Sequence, residues 1–145
     1  MESYTPRVLV VDHEASVADS FVQIFRLSGY QAMAAYSGND AVAAASTYRP
    51  DLALLDVMLP GGLNGIEVAQ IIVQENPRCR IILCSGRPET VELVDQANAA
   101  GHVVDVIAKP VHPSVVLKII AESVSDHTLR TNELREEQGL KPSAQ

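Results

Sequence analysis

Several apolar runs of this 145-residue sequence end in residues that can bind a cation or a phosphoryl group. These residues are Asp12, His13 and Glu14 after the first run, Asp56 after the third, Ser85 and Gly86 after the fourth, and Lys109 and Pro110 after the fifth. Carboxylates are ligands of hard divalent cations, and a lysine ammonium neutralises phosphoryl oxygens. Taken singly, such residues are usually turns, caps or solvated side chains. Their occurrence together favours a single ligand-binding site.

Asp56 is the most informative of these residues because apolar residues flank it on both sides. It lies within the stretch LALLDVMLP. A carboxylate in apolar surroundings needs a compensating partner, since burying an unpaired charge is strongly unfavourable. The sequence therefore predicts that Asp56 lies beside a bound cation, a lysine, or both.

Five short apolar runs, at 8–11, 31–36, 52–55, 80–84 and 103–108, predict the strands that position these residues. The runs are rich in β-branched residues and leucine with little polar alternation, which is typical of strands covered on both faces. Helical patterns separate them, so that β-α repeats five times. This order predicts an α/β fold with a doubly wound, five-stranded parallel sheet. The functional residues of such sheets lie at the carboxyl ends of the strands.

The first helix is predicted from its apolar periodicity. Val17, Phe21, Ile24 and Leu27 recur at helical spacing and predict the face that packs on the sheet. Gly29 follows at a position where a helix end favours a positive φ angle.

The later helices are predicted from residues that favour helix starts. These are Ser37 for a helix that ends at Tyr48, Asn64 for a helix over about 65–76, and Pro88 and Pro113 for the fourth and fifth helices. Serine and asparagine side chains accept hydrogen bonds from the first turn, and proline fits that turn because its missing N–H has no partner there.

Length and composition indicate one globular domain, with 47% hydrophobic residues. We expect the domain at 1–125 and a polar helical extension and tail at 126–145, with no effector domain. No apolar run approaches the ~20 residues of a membrane span, and the N-terminus carries no secretion signal, which favours a cytoplasmic protein. A net charge of −7 argues against direct contact with nucleic acid. Cys79 and Cys84 are predicted to be buried and reduced.

In four stretches the sequence resembles the response-regulator receiver domains, the CheY-like family. The stretches are VLVVDHE, RPDLALLDVMLPGGLNG, IILCSG and IAKP, in family order and close to family spacing. The resemblance covers roughly residues 6–125 and implies a flavodoxin-like (βα)5 fold with strand order 2-1-3-4-5.

The resemblance implies a phosphorylation site with a divalent cation, Mg²⁺ or Mn²⁺. Asp56 corresponds to the phosphoacceptor, whose carboxylate attacks phosphohistidine. Asp12 corresponds to the first of two acidic residues that hold the ion with Asp56, and Met58 to the residue that offers its backbone carbonyl.

The remaining matches concern the phosphoryl group itself. Ser85 corresponds to the switch hydroxyl that hydrogen-bonds a phosphoryl oxygen, and Lys109 to the lysine that pairs with another. Gly86 leaves an open path beside Asp56. Pro110 corresponds to a proline that follows a cis peptide bond in the family.

Four positions depart from the family pattern. The loop from Pro60 to Gly65 and the segment from Gly101 to Lys109 are each one residue longer than usual, which loops tolerate. Val106 occupies the place of an aromatic residue whose ring moves with the switch hydroxyl, so that device is not available here. His13 replaces the second acidic residue of the usual pair.

His13 leaves three interpretations open. The imidazole binds the ion directly, although Mg²⁺ prefers oxygen ligands and imidazole suits Mn²⁺ or later ions better. Alternatively His13 lies outside the ligand set, and Glu14 or water completes it. In the third interpretation the site is not phosphorylated. The presence of Asp12, Asp56, Ser85 and Lys109 together favours a working but altered site.

The function we predict is that of a phosphoacceptor receiver in a two-component phosphorelay. Its partners would be a sensor histidine kinase or histidine phosphotransfer protein and an unidentified downstream protein, with no nucleic acid and no membrane. It would catalyse only its own phosphorylation and dephosphorylation. The alternative within the fold is a phosphorylation-independent pseudo-receiver that acts as a binding module.

Two other classes of protein fit the sequence less well. Aspartyl phosphatases of the haloacid dehalogenase type need a second acid two residues after the nucleophile, where this chain has Met58. Dinucleotide-binding proteins need a Gly-x-Gly-x-x-Gly segment after the first strand, and the acidic residues found there would repel a pyrophosphate.

Overall fold

The computed structural model describes residues 5–86 and 104–123. Its elements, in chain order, are β1 (Arg7–Val11), α1 (Ala15–Leu27), β2 (Gln31–Ala35), α2 (Gly38–Tyr48), β3 (Leu52–Asp56), α3 (Gly65–Glu75), β4 (Arg80–Ser85), β5 (Val104–Ala108) and α4 (113–123). The strands agree with the predicted runs to within one residue. The helix predicted to begin at Pro88, the segment from Gly101 to residue 103 and the extension at 126–145 lie outside the described residues.

All five strands are parallel and lie in the order β2-β1-β3-β4-β5. This is the predicted flavodoxin-like order. Val11 lies opposite Leu55, and Asp56 lies opposite Cys84, so that β1, β3 and β4 end at nearly the same level. The residues that follow these strands therefore meet at one edge of the sheet.

The side chains of the central strands alternate between two apolar layers. Leu9 and Leu55 belong to the layer that contains the buried residues of α2 and α3. Val10 and Leu54 belong to the opposite layer, which contains the buried residues of α1 and α4. Successive side chains of a strand point to opposite faces, so both layers are continuous and the sheet is covered on both sides.

The packing face of α1 differs from the predicted one. Its buried residues are Ala18, Val22 and Phe25. The predicted face is displaced by one residue, and Leu27 at its end is 82% exposed. Both stripes have helical spacing, so periodicity alone does not separate them. The small Ala18 side chain lets the helix approach the sheet closely, while Phe21 and Ile24 pack at the margin of the same layer.

The predicted helix boundaries are confirmed where the structure describes them. Gly29 has φ 96° after α1, and the Ser37 hydroxyl accepts a hydrogen bond of 3.1 Å from the Asp40 amide. At α3 the Asn64 side chain accepts from the Glu67 amide at 2.9 Å, while the Glu67 carboxylate accepts from the Asn64 amide at 3.1 Å. This reciprocal cap fixes the start of α3 directly after the loop that follows β3.

None of the helices within 5–86 and 104–123 has the length and hydropathy that a membrane-crossing helix requires.

Gly65 lies so close to the backbone at the end of β3 that a larger residue there should destabilise the fold. A Cβ atom at this residue would lie 2.2 Å from the Asp56 carbonyl oxygen and 2.8 Å from Val57 Cα. Because both atoms belong to the backbone, Gly65→Ala must displace α3 or the end of β3. We expect it to lower the free energy of unfolding by about 1–3 kcal/mol or more, measured by urea denaturation.

Gly86→Ala is the matched control for this measurement. A Cβ atom at Gly86 would meet no atom of the described residues within 4 Å. We expect the free energy of unfolding to change by less than about 1 kcal/mol. Equal destabilisation by the two substitutions would contradict the role given to the contact between α3 and β3.

Candidate functional site

Strand alternation places the main polar residues of the predicted site on one face of the sheet. Asp56 continues the row of Leu52 and Leu54 in β3, which faces α1 and α4. Asp12 continues the corresponding row of β1, and Lys109 that of β5. These three side chains therefore meet at the carboxyl edge on the α1 side.

The two carboxylates are buried and share one lysine. Asp56 is 4% exposed and Asp12 is 6% exposed. The Lys109 ammonium donates a hydrogen bond of 3.0 Å to Asp56 Oδ2 and lies 3.6 Å from Asp12 Oδ2. Two adjacent carboxylates repel each other strongly in a partly dry site, and the lysine offsets this repulsion.

The charge state of Lys109 follows from its surroundings. Burial lowers the pKa of Lys109, but the hydrogen bond and charge of Asp56, together with the charge of Asp12, outweigh burial, so its pKa lies above the ordinary value. The charged Lys109 side chain contributes its full stabilisation of the fold at any pH below its unfolded-state pKa. This stabilisation is lost only as the pH rises through its folded-state pKa, which is the higher of the two. Lys109 therefore carries its charge throughout the neutral range.

Backbone amides hold the other oxygen of each carboxylate. The Glu14 amide donates to Asp12 Oδ1 at 2.9 Å, and the Met58 amide donates to Asp56 Oδ1 at 3.0 Å. Each is a bond from residue i+2 to an aspartate at i, the pattern of an Asx turn. Sequence reasoning missed both bonds, although an aspartate at the end of a strand is a recognisable signal for such a turn.

The His13 ring extends the cluster of Asp12 and Asp56. Its Nδ1 atom lies 3.7 Å from Asp12 Oδ1 and 3.6 Å from Asp56 Oδ2, and its side chain is 43% exposed. One ligand atom from each of the three residues falls within 4.8 Å of the others. This acidic cluster fits the binding of a divalent cation, with the open side of the ring toward solvent.

The other predicted residues lie around this cluster. Ser85 is buried at the end of β4, and its carbonyl accepts from the Lys109 amide at 3.0 Å. Gly86 is exposed, Met58 is exposed with its amide on Asp56, and the Lys109–Pro110 peptide bond is cis. Ser85 continues the row of Ile81 and Leu83, so its side chain lies on the opposite face of the sheet from that of Asp56.

Neither cysteine competes with the carboxylates. Cys79 and Cys84 are free and buried, as the sequence predicts. Burial raises the pKa of Cys84 to about 12, against the lowering effect of Lys109. The thiol therefore stays protonated at neutral pH, and a protonated thiol is not an effective nucleophile.

A cavity of about 440 Å³ opens beside the carboxylates. Asp12, Asp56 and Lys109 line its polar end, and Val17, Phe21 and Val111 are among the apolar residues that line the rest between α1 and the segment after β5. The cavity leaves the Asp56 carboxylate accessible to small ligands.

The arrangement suits phosphoryl transfer to a carboxylate. Such a reaction spreads negative charge over the equatorial phosphoryl oxygens, and positioning and neutralisation provide most of the catalysis. Lys109 supplies one positive charge, and the cluster of Asp12, His13 and Asp56 can hold a cation that supplies more. Asp56 is a buried carboxylate with a positive partner at hydrogen-bond distance.

Comparison with known proteins gives the same family from three directions. The family model of the response regulator receiver domain matches residues 8–121. The chain is 30% identical over 115 residues to the chemotaxis protein CheY of Thermotoga maritima, with 79% of this chain and 93% of that protein covered. It is 34% identical over 113 residues to the DNA-binding response regulator MtrA of Mycobacterium bovis, with 78% of this chain and 48% of that protein covered.

The similarity extends to solved structures. A CheY-like receiver domain protein of Methanospirillum hungatei has a TM-score of 0.74 and 28% identity, with 85% of this chain and 96% of that chain covered. The chain spans about half the length of the MtrA relatives that it matches. Together with the sheet order and the carboxylate–lysine cluster, these matches show that the chain belongs to the CheY-like family of response regulator receiver domains of two-component systems.

Proposed function

We propose that Asp56 accepts a phosphoryl group from the phosphohistidine of a sensor histidine kinase or histidine phosphotransfer protein. The observation that carries this proposal is the pairing of a buried carboxylate with a charged lysine next to a cluster that can hold a cation. The phosphorylated domain then acts through contact with a downstream protein. Its only catalysis is its own phosphorylation and dephosphorylation.

The transfer step uses groups that the structure brings together. A carboxylate oxygen of Asp56 attacks phosphorus, the bond between phosphorus and the donor imidazole breaks, and the released imidazole takes up a proton. Lys109 offsets the negative charge that develops on the phosphoryl oxygens. A divalent cation, Mg²⁺ or Mn²⁺, supplies further neutralisation when it is bound by Asp12, Asp56 and the Met58 carbonyl. The Met58 amide holds the second oxygen of Asp56 and so fixes the orientation of the nucleophile.

Ser85 and Gly86 act after or around the transfer. The Ser85 hydroxyl hydrogen-bonds a phosphoryl oxygen and couples the modification to the end of β4. Gly86 has no side chain to obstruct the approach to Asp56. The downstream protein binds the surface that this change alters. A net charge of −7 disfavours direct contact with nucleic acid phosphates. We place this chemistry in the cytoplasm, where such a donor would meet the domain.

The alternative function is a phosphorylation-independent binding module. One observation favours it, which is the histidine in place of the second acidic residue beside Asp12. A receiver with too weak an ion site would keep the fold and the docking surface but not the transfer reaction. The two functions differ in whether a phosphodonor modifies the protein.

Asp56→Asn tests the acceptor. We expect the parent protein to gain one phosphoryl group from acetyl phosphate in the presence of Mg²⁺ or Mn²⁺, and the variant to gain none, since an amide oxygen is a poor nucleophile. Intact-protein mass spectrometry measures the adduct. Asp40→Asn, at an exposed aspartate in the first turn of α2, is the control that should behave like the parent. A parent protein that gains no adduct with either ion would establish the phosphorylation-independent function.

Lys109→Ala tests charge neutralisation at the site. We expect the initial rate of phosphorylation to fall on the order of tenfold or more, because one positive charge facing the phosphoryl oxygens is lost. Lys118→Ala, at an exposed lysine of α4, should leave the rate unchanged. Equal rates for Lys109→Ala and the parent would contradict the role assigned to Lys109.

Ser85→Ala tests the coupling of phosphorylation to structure. We expect the variant to accept the phosphoryl group, while beryllofluoride, a phosphoryl mimic, produces smaller amide shift changes in β4 and β5 than in the parent. Two-dimensional NMR spectra measure these changes. Beryllofluoride-induced shift changes as large in the variant as in the parent would show that the hydroxyl does not carry the response.

A further inference from the structure

The His13 ring approaches two carboxylate oxygens without hydrogen bonding to either. Its Nδ1 atom is 3.6 Å from Asp56 Oδ2 and 3.7 Å from Asp12 Oδ1, beyond hydrogen-bond length. Among the described residues, the ring of the other histidine, His112, accepts a hydrogen bond of 3.2 Å from the Ser114 amide. The Nδ1 atom of His13 lies close to one oxygen of each carboxylate, and a gap remains between these three ligand atoms.

We propose that His13 binds the divalent ion directly through Nδ1, and that the site consequently selects a borderline ion of the Mn²⁺ to Zn²⁺ series over Mg²⁺. The proposal deepens the proposed function, since it concerns the ion of the same site, but it does not depend on the transfer of a phosphoryl group.

The separations between the ligand atoms support a direct bond. Ligand atoms about 2.1 Å from an ion lie about 3.4 Å apart at the corners of a tetrahedron and about 3.0 Å apart at adjacent corners of an octahedron. The separations of 3.6 and 3.7 Å from Nδ1 to the two carboxylate oxygens are near the tetrahedral value. Zn²⁺ and its neighbours accept this geometry with nitrogen and oxygen ligands, whereas Mg²⁺ demands an octahedron of oxygens.

The charge of the cluster supports the same selectivity. With Lys109 paired to Asp56, two carboxylates and one ammonium leave a single net negative charge beside the His13 ring. A hard ion such as Mg²⁺ is held mainly by charge, so the replacement of a carboxylate with imidazole weakens its binding. Later first-row ions gain more binding free energy from the nitrogen donor than Mg²⁺ does, and they lose less from the missing carboxylate.

Neighbouring groups leave room for this ligand set. The carboxylate oxygens that face His13 each have further lone pairs, so Asp56 Oδ2 can bind the ion while it accepts from Lys109, and Asp12 Oδ1 while it accepts from Glu14. Among the described residues, the ligand atoms that lie within 4.8 Å of one another are those of Asp12, His13 and Asp56, and the Cys84 sulfur is not one of them. Glu14 is the rival that remains, because its exposed side chain begins two residues from Asp12.

Isothermal titration of the unphosphorylated protein with Mg²⁺, Mn²⁺, Co²⁺ and Zn²⁺ tests the selectivity. We expect His13→Ala to weaken Co²⁺ and Zn²⁺ binding at least about tenfold and Mg²⁺ binding far less. His13→Asp should tighten Mg²⁺ binding and lower the ratio of Co²⁺ to Mg²⁺ affinity at least about tenfold. His112→Ala, at the exposed histidine before α4, is the matched control and should bind all four ions like the parent.

A spectroscopic measurement distinguishes a ligand from a neighbour. In nitrogen-15 spectra of the histidine rings, Zn²⁺ should shift the Nδ1 signal of His13 and leave that of His112 in place. Equal Co²⁺ and Zn²⁺ affinities for His13→Ala and the parent would overturn the proposal. Loss of the ion in Glu14→Gln with an unshifted His13 signal would overturn it in favour of Glu14. No phosphodonor is present in these titrations, so failure of Asp56 phosphorylation would leave their result intact.

Discussion

The site depends on two like charges that the sheet forces together. Asp12 and Asp56 end adjacent parallel strands in register and project to the same face, so the fold itself brings the two buried carboxylates close to each other. Their repulsion would be severe in a partly dry environment. Lys109 from β5 and the amides of Glu14 and Met58 offset it, and these groups take three of the positions around the carboxylates. The positions that remain face His13 and the cavity, where the cluster of ligand atoms fits a cation.

This constraint explains why so much of the backbone at the edge is fixed. The loop after Asp56 is bound by the Val57 amide to the Cys84 carbonyl and by the Gly65 amide to the Val57 carbonyl. Gly65 approaches the Asp56 carbonyl more closely than any side chain would allow. These contacts limit the movement of Asp56, and a group that is held in place loses less entropy when a ligand binds beside it.

Much of this could be predicted from the sequence, for identifiable reasons. The five strands and the positions of Asp56 and Lys109 at their ends follow from local apolar runs, and the caps at Ser37 and Asn64 follow from side-chain chemistry. The strand order followed from the resemblance to the receiver family. The packing face of α1 could not be predicted from the sequence, because two neighbouring stripes of the helix are both apolar and tertiary contacts decide which one is buried. Leu27 belongs to the other stripe and is exposed. The cavity beside α1 could not be predicted either, since it depends on how the helix seats on the sheet. The boundary at 125 and the extension beyond it stay predictions.

The Ser85 side chain lies on the opposite face of the sheet from the Asp56 side chain. Asp56 faces α1, whereas Ser85 follows Ile81 and Leu83 on the row that faces α2 and α3, with Val106 opposite Leu83. Valine has one strongly favoured rotamer in most settings and no ring to reorient, so the side chain at 106 offers no second state. The end of β4 is joined to β5 through the bond from the Lys109 amide to the Ser85 carbonyl. Because of this bond, a displacement of the Ser85 backbone would carry the Lys109 backbone with it. The β4–β5 ladder thus links the two strand ends through backbone hydrogen bonds that do not depend on the side chain at 106.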